Sequence, residues 1–424
     1  MARLGAFCFP GTGHINPMTA LLHSLQQRGH EVVLFGIADA EARVRGAGID
    51  FCQIGAEDFP LGTLQKLDEQ LSQLNGIAAF RFTLKRVRDS ALMLYRDGPD
   101  AVRNANIDAL LIDEAEFAGS VADHLGLPRI SIALIPPMVN DDRFPPFWFG
   151  WPAGQDRLSR LRNRFGINLL LRIADPIFKD GNEQRIAWGL KPFKHPADAV
   201  STIARISQLP EALEFEVVGE KPENVHYTGP FVHAKVRPPI KFPWDRLDGR
   251  PLIYASLGTL QNGSEAIYET IAEACAPLDA QLLISLGGGL DPATFKKLAG
   301  DPVLVSFAPQ LEILKRAALV IAHGGINTVL ESLSEGVPLV LVPLANDQPG
   351  VAARVKARGA GVVVPRRKLS PARLRKAVQF VLTHPGYREA ARKLQLAFRE
   401  IDGPDCAADL IEQALEIRSA QQIA

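Results

Sequence analysis

Residues 5–36 read GAFCFPGTGHINPMTALLHSLQQRGHEVVLFG, and this stretch decides the fold class. Gly5 to Phe9 is a short apolar run, which predicts a strand. In the following segment Met18, Leu21, Leu22 and Leu25 recur at i, i+3, i+4 and i+7, so a helix over Pro17 to Arg28 would bury them on one face. Asn16 suits its N-cap, Pro17 its first position and Gly29 its end. Glu31 to Gly36 is again apolar and β-branched, and predicts the next strand. Strand, loop, helix and strand make a βαβ unit, which implies a parallel sheet covered on both faces. Ala109 to Ile112 and Pro128 to Ile135 predict later strands of that sheet. The pattern restarts in the second half, with strands predicted at Leu252 to Ser256, Gln281 to Ser285, Val303 to Phe307, Leu319 to Ala322, Val337 to Val342 and Gly361 to Val364. Ser264 caps a helix carrying Ile267, Ile271 and Ala274. Between the halves, Gly229 to Arg250 holds Pro230, Pro238, Pro239 and Pro243, a composition typical of a linker. The expectation is α/β architecture with two doubly wound domains and a break at 230–250.

Composition bounds the function. The chain has 424 residues, 47% hydrophobic and 22% charged, which excludes disorder and a disulfide-stapled scaffold. Its 47 Lys+Arg balance 47 Asp+Glu, so the positive excess that nucleic-acid phosphates demand is missing. Cys8, Cys52, Cys275 and Cys406 form no CxxC pair and fit no zinc spacing, as expected of reduced packing thiols in a cytoplasmic protein. Leu4 to Pro10 is too short for the core of a secretory signal, and the longest apolar runs, such as Val337 to Leu344, fall well below the ~18–20 residues of a membrane span.

Ligands of open α/β sheets bind beyond the carboxyl ends of the strands, and three segments place polar residues there. The first is Gly11-Thr12-Gly13-His14-Ile15-Asn16-Pro17. Two glycines permit a tight turn off the first strand, and His14 lands beside a helix start. A dinucleotide loop would want a third glycine where Asn16 stands; a capping histidine is the other plain reading. The second is Asp113-Glu114 at a strand end. A carboxylate there could orient the His14 imidazole and stabilise its charged form, or simply cap the next element. The third runs from Phe307-Ala308-Pro309-Gln310 through His323-Gly324-Gly325-Ile326-Asn327-Thr328 and Glu331 to Asp347-Gln348. A strand running into two glycines and a helix offers exposed amides and a helix dipole to an anion such as a phosphate. Glu331, four residues beyond Asn327 on the same helical face, suits vicinal hydroxyls. No DxD motif or clustered carboxylate–histidine ligand set is present, so no metal is expected.

The third segment resembles the donor-binding signature of UDP-sugar-dependent glycosyltransferases, glycosyltransferase family 1. GTGHINP and the strand end Tyr254-Ala255-Ser256-Leu257-Gly258-Thr259 match as well, so the resemblance spans both halves. It implies the GT-B fold: two Rossmann-like domains facing across a cleft, with 1–229 binding the acceptor, 230–250 linking, 251–404 binding the nucleotide sugar, and a helix in 405–424 crossing back to the first domain. It implies that Phe307, where many plant members carry Trp, stacks on uracil, with the Ala308 backbone on the base edge. Gln310 and Glu331 would hold the ribose. Gly258, Thr259, His323, Gly325, Asn327 and Thr328 would surround the diphosphate, and Asp347 and Gln348 the sugar. His14 would be the general base and Asp113 its partner, in an inverting, metal-independent transfer of glucose from UDP-glucose that needs no cofactor. The stretches Ala255 to Gln261, Ile206 to Pro210 and Asp347 to Arg354 are similar to bacterial carotenoid (zeaxanthin) glucosyltransferases, which implies a lipophilic acceptor, a carotenoid or another polycyclic or phenolic natural product.

The aromatic cluster Phe144, Phe147, Trp148, Phe149 and Trp151 is the candidate acceptor wall; an interdomain plug is the competing reading. Just beyond it, Arg157, Arg160, Arg162, Arg164 and Arg172 surround Leu158, Leu161 and Leu169 to Leu171. That pattern fits either peripheral contact with an anionic membrane at its inner face or a solvated helix. Two other enzyme classes stay open. A nucleotide-sugar epimerase of the same fold would need no acceptor site. A nicotinamide-dependent oxidoreductase would rest on Gly11, Gly13 and Asp39, and the second-half signature argues against it.

Overall fold

Two parallel sheets form the scaffold of this computed structural model, which describes residues 1–74, 76–219 and 224–416. The first lobe contains β1 (Arg3–Phe7), β2 (Glu31–Gly36), β3 (Asp50–Gln53), β4 (Ala109–Asp113), β5 (Arg129–Ala133), β6 (Arg205–Ser207) and β7 (Val225–Tyr227), in the spatial order β3-β2-β1-β4-β5-β6-β7. Around it lie α1 (Thr12–Gln27), α2 (Ala38–Gly46), α3 (Thr63–Ser72), α4 (Gly76–Asn104), α5 (Gly119–Leu125) and α6 (Arg157–Ala187). The second lobe contains β8 (Leu252–Ser256), β9 (Gln281–Ser285), β10 (Val303–Val305), β11 (Ala317–Ala322), β12 (Leu339–Leu341) and β13 (Gly361–Val363), ordered β10-β9-β8-β11-β12-β13. Its helices are α7 (Glu265–Cys275), α8 (Gln310–Leu314), α9 (Ile326–Ser334), α10 (Gln348–Ala357), α11 (Pro371–Thr383) and α12 (Pro385–Arg399), and α13 (Gly403–Ala414) follows them. Every residue of β4 and β8 is buried, as strands covered on both faces require. In each sheet the order reverses beside the first strand, β1 or β8. Both lobes are therefore doubly wound, with the switch-point crevice at the carboxyl ends.

The helix start after β1 differs from the sequence expectation. α1 begins at Thr12 with Gly11 as N-cap, and the His14 and Ile15 amides donate to the Gly11 carbonyl (2.9 and 3.0 Å). Asn16 and Pro17 lie inside the helix. Proline cannot donate to the carbonyl four residues back, which here is that of Gly13. The Asn327 amide of the opposite lobe donates to that carbonyl instead (Nδ2 to O, 2.6 Å). The bond missing within the helix is supplied across the cleft, and His14 sits in the first helical turn.

The chain between the lobes is packed on both. Phe231 and Val236 join the first-lobe core, while Phe242 and Leu247 pack on the second. α13 follows the second lobe in sequence, yet Ala407, Ala408 and Ile411 share a core with Leu21, Leu22 and Leu25 of α1. Arg28 and His30 bind Glu412 from below that helix (3.1 and 2.9 Å). The expected 405–424 helix is described only as far as residue 416; residues 417–424 lie outside the described residues. A buried bidentate pair, Glu214 with Arg354 of α10 (2.7 and 3.1 Å), ties the lobes together near the cleft.

Candidate active site

His14 and Asp113 meet at the head of the cleft. α1 presents the imidazole in its first turn, and β4 ends on the carboxylate. Nδ1 of His14 lies 2.6 Å from Oδ2 of Asp113, whose side chain is fully buried while that of His14 keeps 16% exposure. Asp113 is fixed on three sides: Oδ1 accepts from the Ala115 amide (3.0 Å) and Oδ2 also accepts from the Phe9 amide (3.3 Å). The Ala115 bond closes a tight turn and caps no helix, since α5 begins only at Gly119. With Nδ1 committed to a carboxylate, Nε2 is the nitrogen left to take a proton. Burial alone would lower the His14 pKa, but the charge and hydrogen bond of Asp113, with smaller contributions from Asp347 and Glu116, raise it above 6.5. Glu114 is spent elsewhere, in a buried pair with Arg205 of β6 (2.7 Å).

Facing the dyad, the loops after β8, β11 and β12 gather the second-lobe residues. Gly258 has φ +76°, and a Cβ there would stand 2.7 Å from the His323 ring; Gly325 is pressed against the same ring. The two glycines thus let the imidazole lie between the β8 and β11 loops, where burial pushes its pKa down to about 4. His323 is neutral there, and its Nδ1 is buried with no partner among the described residues. Thr259 follows in the β8 turn and Thr328 is buried in the first turn of α9. Asp347 closes the loop after β12; burial raises its carboxyl to about 6 and the His14 charge opposes that rise, so it faces the dyad across the cleft. Gln310 donates to Glu331 (2.7 Å), the two residues that the resemblance puts on a ribose. Phe307 offers a half-exposed ring, 49% accessible, against Gly288, with Ala308 buried beside it.

Three of the second-lobe residues are already engaged. Asn327 donates to Gly13 and accepts from Gln208 of the first lobe (3.1 Å), so its amide holds the lobes together. Glu331 is ion-paired to Arg237 of the interlobe segment, a partner that no local pattern announces. Gln348 accepts from the Leu344 and Ala345 amides (2.8 and 3.0 Å) and donates to Gln261 (2.8 Å); it shapes the loop that carries Asp347 and is itself 5% exposed.

Between the lobes and beneath His14 lies an elongated cavity of about 300 Å³. His14, Asp113 and Glu116 stand at its polar end, with Asn346 and Asp347 from the second lobe. The rest is largely apolar. Phe144, Phe147 and Trp148 line it, Trp148 packing on Phe80 with ring centroids 3.8 Å apart. Phe149 and Trp151 do not. They stack on each other (4.2 Å, 9°) under the Arg162 guanidinium, outside the cavity; they follow a turn closed by the Phe149 amide on the Pro146 carbonyl (2.9 Å), after which Gly150 abuts Pro349 of α10. The aromatic cluster is therefore cavity wall at one end and interlobe packing at the other. The sequence reading missed the opposite wall: Leu84 and Val87 of α4 and Leu170, Ala174, Ile177 and Phe178 of α6. It missed Glu116 too, a buried carboxyl hydrogen-bonded by Ser90 (2.9 Å) and raised to about 8 by burial and by Asp113. Among the described residues no three of His, Cys, Asp or Glu converge as a metal site.

The second half matches a UDP-glucoronosyl and UDP-glucosyl transferase family model over residues 198–404, and residues 9–97 match a glycosyltransferase family 28 N-terminal domain. A zeaxanthin glucosyltransferase of Pantoea ananas is 31% identical over 98% of this chain and 96% of its own length. Another from Pseudescherichia vulneris is 32% identical over 98% of each chain. Among solved structures, the glycotransferase of kitacinnamycin superposes with a TM-score of 0.75 at 22% identity, over 97% of this chain and 98% of its own. That likeness concerns the fold, which is GT-B.

Proposed function

Since the chain belongs to the UDP-glycosyltransferase family and is a glycosyltransferase, we propose that it moves glucose from UDP-glucose to a hydroxyl of a lipophilic acceptor, a carotenoid diol or a polycyclic phenol, forming a β-glycoside by inversion. The observation that carries this reading is the His14–Asp113 pair on the wall of a largely apolar cavity lined by both lobes. An apolar acceptor fills the cavity and brings a hydroxyl to His14 Nε2. Nε2 takes the hydroxyl proton as the oxygen attacks the anomeric carbon; the bond from that carbon to the diphosphate breaks, and UDP leaves. Such general-base help is worth roughly 10²–10⁴-fold. The growing charge on the diphosphate is met by the amides at the start of α9 and by that helix's dipole. No metal or cofactor is required for this step. Asp347 faces the transferred sugar. Four free cysteines agree with a reducing, cytoplasmic setting.

The cavity sets this reading apart from an epimerase, which needs no second substrate. The test is incubation of the protein with UDP-glucose and an acceptor panel that includes zeaxanthin, with products read by mass spectrometry. A hexose adduct on a lipophilic acceptor, absent with His14→Ala, is the expected result. Consumption of UDP-glucose without an adduct, or an undiminished adduct with His14→Ala, would overturn it.

A further inference from the structure

Helix α6 is apolar on two opposite faces, and among the described residues only one of them is packed against the rest of the molecule. Ile167, Leu170, Ala174 and Ile177 face inward and line the acceptor cavity. On the other side Leu158, Leu161, Phe165 and Leu169 are 77%, 63%, 66% and 38% exposed. Their spacing of i, i+3, i+7 and i+11 puts them on a single stripe. Four large apolar side chains in register on solvent are unlike the scattered apolar residues of an ordinary surface.

The helix residues beside the stripe carry charge of one sign, while Asp142 of the preceding loop faces two of them and Asp156 and Asp175 flank the stretch. Residues 157–172 contain five arginines and no Asp or Glu. Arg160 and Arg164 share Asp142 (2.7 Å each), and Arg162 is spent on Trp151 and the Pro152 carbonyl. The side chains of Arg157 and Arg172 have no partner among the described residues and are exposed, Arg172 continuing the apolar stripe. The cavity reaches the same region. Leu171, Phe178 and His195 line both the acceptor cavity and a shallow groove that carries Arg172 and Lys194.

We propose that this outer face of α6 docks the enzyme on an anionic lipid bilayer, with the Leu158–Leu169 stripe in the acyl boundary and the arginines on lipid phosphates, so that a lipophilic acceptor passes from the bilayer into the cavity beside it. The role in acceptor entry rests on the glucosyl transfer proposed above; the docking itself does not. An amphipathic face of this kind lies in the plane of the interface, and each arginine near an anionic surface adds about fivefold to partitioning. No helix among the described residues is long and apolar enough to span the bilayer, so attachment is peripheral and reversible by salt.

The experiment is flotation of the full chain with vesicles of phosphatidylcholine containing phosphatidylglycerol, against phosphatidylcholine alone, at low and high salt. Leu161→Glu/Phe165→Glu is the comparison, since neither residue lines the cavity. The wild type should float with the anionic vesicles at low salt, and the variant should lose that binding by about tenfold or more. The variant should transfer glucose to a detergent-dispersed acceptor at the wild-type rate and to a vesicle-embedded acceptor more slowly. Absence of wild-type binding to anionic vesicles, or equal binding by the variant, would overturn the docking surface. So would light scattering that shows a dimer dissolved by the same substitutions, because the stripe would then cover a second copy of the chain. Loss of transfer to every acceptor with flotation intact would overturn the transfer reading and leave the docking surface standing.

Discussion

Replacing Asp113 by Asn tests the proposed catalytic pair most directly, because it keeps the shape and removes one charge. The Asp113 oxygens accept three N–H bonds, from Ala115, Phe9 and His14. Asparagine has one oxygen and one amino group. With its oxygen on Ala115, the amino group faces the Phe9 amide and His14 Nδ1, so Nδ1 must accept and the ring proton moves to Nε2. Nε2 is then unable to take a proton from the acceptor. With the amide flipped, the amino group faces the Ala115 N–H and the turn after β4 loses its bond. In the first arrangement the general base is lost outright; in the second Nε2 keeps its lone pair but loses the carboxylate charge that stabilises the imidazolium. kcat should fall by roughly 10²–10⁴-fold, about 3–5 kcal/mol of barrier, while the KM for UDP-glucose, set on the second lobe, stays within about twofold. The pH profile gives a second readout. Asp113 holds the His14 pKa above 6.5, and only the neutral ring accepts a proton. The acid limb of kcat/KM therefore lies above that value in the wild type and moves to lower pH in Asp113→Asn. Stability responds with the opposite sense. A raised histidine pKa adds stability that is complete below the unfolded value and is lost as pH rises through the folded one, so the variant's destabilisation should be greatest on the acid side. A variant with near-normal kcat, or with an unmoved acid limb, would refute the assignment.

Asn327→Ala leaves the Gly13 carbonyl without its donor; at about 1–3 kcal/mol for an unmade bond, kcat/KM should drop about 5–150-fold, and Pro17→Ala, which restores a rival N–H within α1, should raise the melting temperature while lowering kcat. Gly258→Ala must place a Cβ at φ +76° against the His323 ring; the left-handed backbone alone costs about 1–2 kcal/mol, and isothermal titration should show weakened UDP binding with the fold intact by circular dichroism. Glu116, protonated in the folded protein up to about 8 but ionised above 4.5 when unfolded, makes stability fall as pH rises between those values; thermal melts of Glu116→Gln should lack that fall.

The parallel architecture was legible because it is written in local patterns. β2, β8 and β9 end where the runs of buried β-branched and aliphatic residues end, and the glycines at 324 and 325 mark the start of α9. What stayed hidden depends on contacts between distant residues. Asn16-Pro17 has the form of a helix start, and local rules place the cap there; the helix begins five residues earlier because the second lobe satisfies Gly13. The Arg237–Glu331 pair joins residues 94 positions apart, with nothing local to announce it. Phe149 and Trp151 share a composition with Phe144 and Trp148, and what separates their places is the turn from Pro146 to Phe149 and the contact of Gly150 with α10. The site residues themselves sat at strand ends, where the topology collects polar groups whatever their use, so their positions could be read more readily than their partners.

Those partners give the cleft its logic. In most helices a proline in the sixth position would leave a carbonyl to water. Here that carbonyl belongs to the residue just before His14, and its donor is Asn327, in the first turn of the helix whose amides would face a diphosphate. The same asparagine accepts from Gln208, whose amide also donates to the Leu134 carbonyl at the end of β5. One side chain therefore joins the imidazole-bearing turn, the β5 end and the α9 start. Any rotation of the lobes that lengthens the Asn327–Gly13 bond also withdraws His14 from Asp347 and opens the polar end of the cavity to water. The Glu214–Arg354 pair, with 6% and 3% of its side chains exposed, resists the same rotation from the other side, because separating it would strand a charge in apolar surroundings. Lobe closure and the placement of the base are thus set by the same bonds.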